Sequence, residues 1–196
     1  MYRYFSDQRN LEGLSMKFID YARTKYQFVE GYFKAYVIED EETKLHYEKK
    51  NVIVLGASKA MAHSIGDCET SYCIDQFRLG GDNSLDAQTL ISPPAPTIND
   101  EDLMWTANLF VRNRNDEIDG SPAFWVTYPD APNERSVMFH IRIGKSEANL
   151  NDPIATVYTC AGLFMMDVPT LFAHQTFPVM TKTPFREFLF EWEIRF

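Results

Sequence analysis

Phe188-Leu189-Phe190-Glu191-Trp192-Glu193-Ile194-Arg195-Phe196 sets a large apolar side chain at every second position. A period of two is the signature of a strand with one buried face. Phe188, Phe190, Trp192, Ile194 and Phe196 therefore share that face, with Leu189, Glu191, Glu193 and Arg195 opposite. This reading holds Phe196 itself in the sheet.

The same alternation recurs upstream. Val137, Phe139, Ile141 and Ile143 alternate with Met138, His140 and Arg142. Trp105, Ala107, Leu109 and Val111 alternate with Thr106, Asn108, Phe110 and Arg112. Phe124 to Tyr128 reads as a short aromatic strand between Pro122 and Pro129, and Cys73 to Leu79 as another, stopped by Gly80-Gly81-Asp82-Asn83. Phe33, Ala35 and Val37 alternate with Lys34, Tyr36 and Ile38. After the polar stretch Glu39 to Lys44, Leu45 to Lys50 returns, which predicts a β-hairpin with a loop longer than the tightest kind. Asn51-Val52-Ile53-Val54-Leu55-Gly56 is an apolar run, and the spacing of Ala60, Met61 and Ser64 predicts a short helix over Ala57–Ile65. Ser92-Pro93-Pro94-Ala95-Pro96 must be extended and reads as a rigid surface connection. Turns are expected at Asp119-Gly120-Ser121-Pro122 and Asp130-Ala131-Pro132-Asn133.

Short alternating strands with this punctuation predict a mainly β fold: an antiparallel β-sandwich or partly open barrel with one short helix. Residues 27–196 form one β-rich domain in this reading. Residues 1–26 form an N-terminal arm or a helix, since Leu11, Leu14, Phe18 and Ala22 sit at roughly helical spacing while Gly13 weakens it. The chain has 196 residues, enough to bury a core without metal or disulfide staples. Its 15 Phe and 10 Tyr suit strands, which favour aromatics.

The net charge of −9 argues against sequence-independent nucleic-acid binding and against docking on an anionic membrane. No apolar stretch approaches the ~20 residues that span a bilayer. The start, Met1-Tyr2-Arg3-Tyr4, lacks the apolar segment of a signal peptide, and Cys68, Cys73 and Cys160 form no dense disulfide framework. The expectation is a soluble protein made in a reducing cytoplasm, with its cysteines as ordinary buried thiols.

Chemistry-bearing patterns are sparse. His46, His63, His140 and His174 are each far from another His or Cys, whereas zinc ligands usually come in pairs two to five residues apart. Gly80-Gly81-Asp82-Asn83-Ser84 lacks the Lys-Ser or Lys-Thr of a phosphate loop and reads as a turn. Asp116-Glu117-Ile118-Asp119-Gly120 lacks the further ligands of a calcium loop and reads as a turn too. No Gly-x-Ser-x-Gly elbow is present. The sequence therefore assigns no catalytic, cofactor-binding or metal-binding residue, and implies no cofactor and no enzyme. Phe110, Phe124, Tyr128 and Met138 are candidates for aromatic and apolar surface left over once each sheet has buried one face.

Two ordered stretches carry a resemblance. The first runs from Lys50-Asn51-Val52-Ile53-Val54-Leu55-Gly56 through a short helix to Ile74-Asp75-Gln76-Phe77-Arg78-Leu79-Gly80-Gly81. It closes with Pro93-Pro94-Ala95-Pro96-Thr97 and Asp100 to Leu103. The second comprises Gly162-Leu163-Phe164, Leu171-Phe172-Ala173-His174-Gln175-Thr176-Phe177-Pro178, Thr181-Lys182-Thr183 and Glu191 to Phe196. In this order, over roughly residues 27–196, they resemble the small tail, baseplate and fibre-attachment proteins of tailed bacteriophages. The resemblance implies a virion structural protein of the tail, baseplate, collar or fibre-adaptor region, assembled in the host cytoplasm. Its partners would be other virion proteins and copies of itself, with no nucleic acid and no membrane. The alternative is a carbohydrate- or receptor-binding β-sandwich in which Trp125 and Tyr128 stack on sugar rings.

Overall fold

Trp192 has no exposed surface, and neither do Phe188, Phe190 and Ile194. The strand that carries them sits between two others in the computed structural model, which describes residues 29–66, 73–84, 93–132, 135–150, 155–165 and 170–196. The arm or helix expected at the N-terminus, and Cys68, lie outside the described residues. The elements are β1 (Glu30–Glu39), β2 (Glu42–Ile53), α1 (Leu55–Gly66), β3 (Ile74–Gly81), β4 (Asn108–Asn113), β5 (Glu117–Ile118), β6 (Ser121–Pro122), β7 (Phe124–Thr127), β8 (Ser136–Ile143), β9 (Thr156–Met165), β10 (Leu171–Lys182) and β11 (Glu187–Arg195). Nine strands form one antiparallel sheet in the order β4-β3-β9-β10-β2-β1-β11-β8-β7, which curls into a nearly closed, barrel-like form. β5 and β6 make a separate small hairpin. The mainly β fold with one short helix is as the alternation requires.

Aromatic side chains fill the interior from opposite walls. Phe33 on β1 meets Trp192 edge-on at 4.8 Å and stacks on Phe177 of β10 at 5.6 Å. Phe77 of β3 reaches Phe190 of β11 at 5.0 Å, although four strands separate them along the sheet. Such pairs add about 0.5–1.5 kcal/mol beyond their burial.

β2 joins the two halves of the sheet. Its residues up to Asn51 pair with β1, and Val52 and Ile53 then pair with His174 and Ala173 of β10. The apolar run after Lys50 is therefore the end of the hairpin's second strand. The hairpin turn is tighter than the sequence suggests: Asp40 and Glu41 alone form it, both at positive φ (51° and 65°). Two left-handed residues match the right-handed twist of the flanking strands, and a carboxylate side chain does not advertise this as Asn-Gly would. The register also skips His46, since Ala35 faces Tyr47 and Tyr36 faces Leu45. A ring nitrogen of the displaced His46 lies 3.2 Å from the Pro178 carbonyl on β10.

Several faces differ from the sequence reading. Phe196 lies past the end of β11 and is 59% exposed, although its N–H still donates to the Arg135 carbonyl opposite it. Only Asn108–Asn113 of the 105–112 stretch is strand, and its faces are inverted. Leu109 is exposed, whereas Phe110 packs on the core and Arg112 is buried with the Glu147 carboxylate. Phe124 is buried and is not surplus surface, while Cys73 is exposed. The helix starts earlier than expected, at Leu55, and inserts Ala57 and Ala60 into the main core.

The Pro-rich segment is more than a surface connection. Its prolines stay at the surface, but the following residues cross the outer face of β9 and β10. There Leu103 joins Val54, Cys160, Phe164 and Leu171 in a second core. Glycine permits the approach: a Cβ on Gly80 would lie 2.1 Å from the Trp105 carbonyl oxygen.

Truncating a buried aromatic costs about 3–5 kcal/mol. Trp192→Ala is therefore expected to lower the melting temperature sharply or abolish soluble expression. Glu193→Ala, on the other face of β11, should change stability by less than about 1 kcal/mol. Thermal melts of the two variants compare these; a stable Trp192→Ala beside an unfolded Glu193→Ala would mean the opposite register.

Candidate functional site

Three places in the molecule gather side chains with chemical potential. The first lies under the strap, residues 93–107. His174 points outward from β10, and its Nδ1 sits 2.7 Å from Asp100 Oδ2. Burial pushes the Asp100 carboxyl up, but donors from Thr97 (N–H at 2.9 Å, hydroxyl at 2.6 Å) and His174 outweigh it and hold the group below its ordinary range. Burial lowers the imidazole pKa more than Asp100 raises it, so His174 is neutral, donates from Nδ1 and leaves Nε2 without a partner. Cys160 shares this face, on β9. Its thiol donates to the Trp105 carbonyl at 3.6 Å, and burial pushes it up to about 12. Cys, His and Asp thus come together, but a reactive thiolate needs a depressed pKa and this thiol has the opposite. The arrangement clasps the strap: Thr176 also donates to the Pro94 carbonyl, and the Leu55 N–H to the Ile98 carbonyl.

The second place is the end of the barrel beneath the 144–149 turn. Lys182 has no exposed surface, and its Nζ donates to the carbonyls of Lys145 and Thr183 and, at 3.3 Å, to Asn149 Oδ1. Arg112 pairs with Glu147, whose carboxylate also accepts the Gly144 N–H at 2.7 Å. Tyr158 ties the same turn by donating to the Ala148 carbonyl at 2.9 Å. Burial pushes the Lys182 ammonium down to about 8, against the pull of Glu147 and Glu187. Its donors are committed to the turn, so the cluster closes this end of the barrel.

The third place is a cleft of about 390 Å³ beside α1. Val126, Tyr128, Ile74, Arg114, Phe139 and Phe172 are among the residues that line it. Tyr128 is 54% exposed at the rim, close to Phe196. The cleft is bordered by the end strand β7 with Tyr128, by the start of β3 and by α1, with Arg114 just past the end of β4. Its lining is mostly apolar, the usual character of a binding surface.

The residues that drew attention in the sequence fall elsewhere. The four histidines stand on four elements, β2, α1, β8 and β10. Among the described residues no three His, Cys, Asp or Glu side chains are grouped to hold a metal ion. Gly80 and Gly81 are not the turn expected of them but the last residues of β3, where a Cβ on Gly81 would lie 2.0 Å from the Val157 carbonyl oxygen. Asp119 and Gly120 do form a turn, both at positive φ, joining β5 to β6. Trp125 lies parallel to the His140 ring at 5.0 Å, which covers one of the two faces a sugar could use. Phe110 and Met138 are half-buried, leaving Tyr128 as the exposed member of the surplus set. The pairs His174–Asp100 and Arg112–Glu147 escape sequence reading because 74 and 35 residues separate their members. Comparison of the chain with protein-family models, curated proteins and solved structures finds no match in any of the three.

Two pH dependences follow from this chemistry. An unfolded lysine holds its proton up to about pH 10.5, and Lys182 in the fold only to about 8. The unfolded chain binds more protons between these values, so stability due to Lys182 rises with pH across that window. Lys182→Met is expected to lack the rise, on the order of 2 kcal/mol. Urea unfolding of both proteins at about pH 7.5 and about pH 10 measures it; equal slopes would exclude Lys182 as the titrating group.

His174 acts at the acid end. Its folded pKa lies below the ordinary 6.5, so the unfolded chain takes up a proton first as pH falls. Stability should therefore decline as pH drops through about 6.5. His174→Gln should flatten that decline in denaturation series between about pH 7 and about pH 5.

Proposed function

We propose that this chain is a structural protein of a tailed-bacteriophage virion, in the tail, baseplate, collar or fibre-adaptor region, working through protein–protein assembly. The observation that carries the reading is the apolar cleft beside β7, rimmed by exposed Tyr128 and Phe196. Contiguous apolar surface of this kind marks sites of contact with other chains. The two polar clusters support the same reading, because the hydrogen bonds they make hold the strap and the 144–149 turn in place. The ordered resemblance adds the virion context. Its motifs are the framework of the barrel: Lys50 to Gly56 leads from β2 into α1, and Leu171 to Pro178 lies within β10. Partners are other virion proteins and further copies of the chain, since symmetric particles repeat one interface many times.

Peptides of this chain are expected in tryptic digests of density-purified phage particles, at a constant ratio to the other tail proteins. Purified alone, the protein should sediment as an oligomer or bind a neighbouring tail component. Absence from the particles, with the protein found only in the lysate, would overturn the virion assignment.

A further inference from the structure

We propose that the apolar cleft beside β7 accepts an extended segment of a different protein as an added β-strand along β7, with a carboxylate of that segment on Arg114. The inference rests on the assembly role above and names the chemistry of the partner.

The backbone carries the first part of the argument. β7 is an end strand of the sheet and pairs with β8 alone. The Arg142 N–H donates to the Ala123 carbonyl at 2.8 Å, so Ala123 faces β8. Successive residues of an antiparallel ladder point their N–H and C=O groups to opposite sides. Trp125 and Thr127 therefore face β8 as well, and Phe124 and Val126 turn their backbone groups to the open side. Among the described residues no backbone hydrogen bond reaches these two from that side. An unpaired edge is a template for a further strand.

The other end strand differs. β4 carries the buried charge of Arg112 on its inner face, a device that discourages edge pairing. The β7 sequence Phe-Trp-Val-Thr has no charge and no proline, and its edge borders the apolar cleft through Val126. A strand laid there would turn alternate side chains toward Phe139 and Phe172 in the cleft lining. Four residues of strand span about 13 Å, so a segment of five or six residues suffices.

Charge selects the segment. Arg78, Arg112, Arg142, Arg186 and Arg195 each hold a carboxylate. Arg114 lines the same cleft as Val126, and its guanidinium has no hydrogen bond or ion pair among the described residues. In a chain of net charge −9, an uncommitted guanidinium beside an apolar cleft favours an acidic group on the incoming strand.

The test uses the full chain and a probe labelled at its N-terminus, fluorescein-Gly-Gly-Val-Thr-Val-Thr-Val-Asp-amide, read by fluorescence anisotropy. The parent should bind it, and a probe with its central Val replaced by Pro should not bind. Arg114→Glu changes an exposed side chain and should weaken binding about three- to fivefold. A probe ending in Lys should recover that loss on Arg114→Glu. Val126→Pro removes an outward N–H that β8 does not use, so it should fold, as its melt will show, and lose the probe. Three results would overturn the proposal: no parent binding up to about 1 mM, binding indifferent to both variants, or decanoate binding through Arg114 where the peptide does not. Self-association abolished by Val126→Pro would likewise overturn it, in favour of a second copy as the occupant. Particle composition is measured separately: a virion protein that ignores the probe defeats only the edge pairing, and a probe-binding protein missing from particles defeats only the virion role.

Discussion

The contact of Phe33 with Trp192 and Phe177 holds the two halves of the sheet around one interior. Each of these rings belongs to a different strand, and Phe77 against Phe190 repeats the arrangement from β3 to β11. Fully burying one large apolar side chain contributes about 1.5–3 kcal/mol, and β11 supplies four without exposed surface. That gross gain is of the size of a domain's whole net stability, about 5–15 kcal/mol. A curled sheet is the geometry that lets strands far apart in order reach one another. The sheet also keeps two end strands, β4 and β7, and the apolar cleft beside β7 is the opening that the proposed partner uses.

Outside the barrel the same economy of space governs the strap. Leu103 can reach Cys160 and Phe164 because the strand surface beneath it is small: Gly80, Cys160 and Gly162 supply little or no bulk. A Cβ on Gly162 would come within 2.7 Å of Leu171 and 2.9 Å of Leu103. The strap brings Asp100 to His174, and burial beneath it keeps that imidazole neutral. Dispersion packing therefore comes first and the polar clasp follows from it. The same sequence of causes operates at the Lys182 end, where the 144–149 turn encloses an ammonium and offers it carbonyls in place of water. A buried charge is tolerated when its donors are occupied, and the price is the depressed pKa.

Much of the fold was legible because period-two patterning is a local property. The faces of β8 and β11, the hairpin, the single helix and the all-antiparallel character follow from which residues alternate. The pattern fails where a residue's face is decided by something beyond its own strand. Arg112 turns inward because Glu147, distant in sequence, waits there, and its strand neighbours Leu109 and Val111 are turned outward with it. Phe196 keeps an in-register hydrogen bond to the Arg135 carbonyl yet stands exposed, because the buried run of β11 ends at Ile194. The Asp40–Glu41 turn closes in two residues because both adopt positive φ, a conformation their side chains do not signal.

Composition and alternation by themselves determined a β-rich, aromatic, acidic domain and the core faces of β1, β8 and β11, but not those of β9 and β10. Tertiary structure alone decided the strand order, the strap's second core, the His174–Asp100 and Arg112–Glu147 pairs, and the apolar cleft beside β7 with Arg114 in its lining. The physical reason is range. Side-chain period and propensity act over a few residues, whereas edges, clefts and ion pairs arise from chain closure over tens of residues, which no local pattern records.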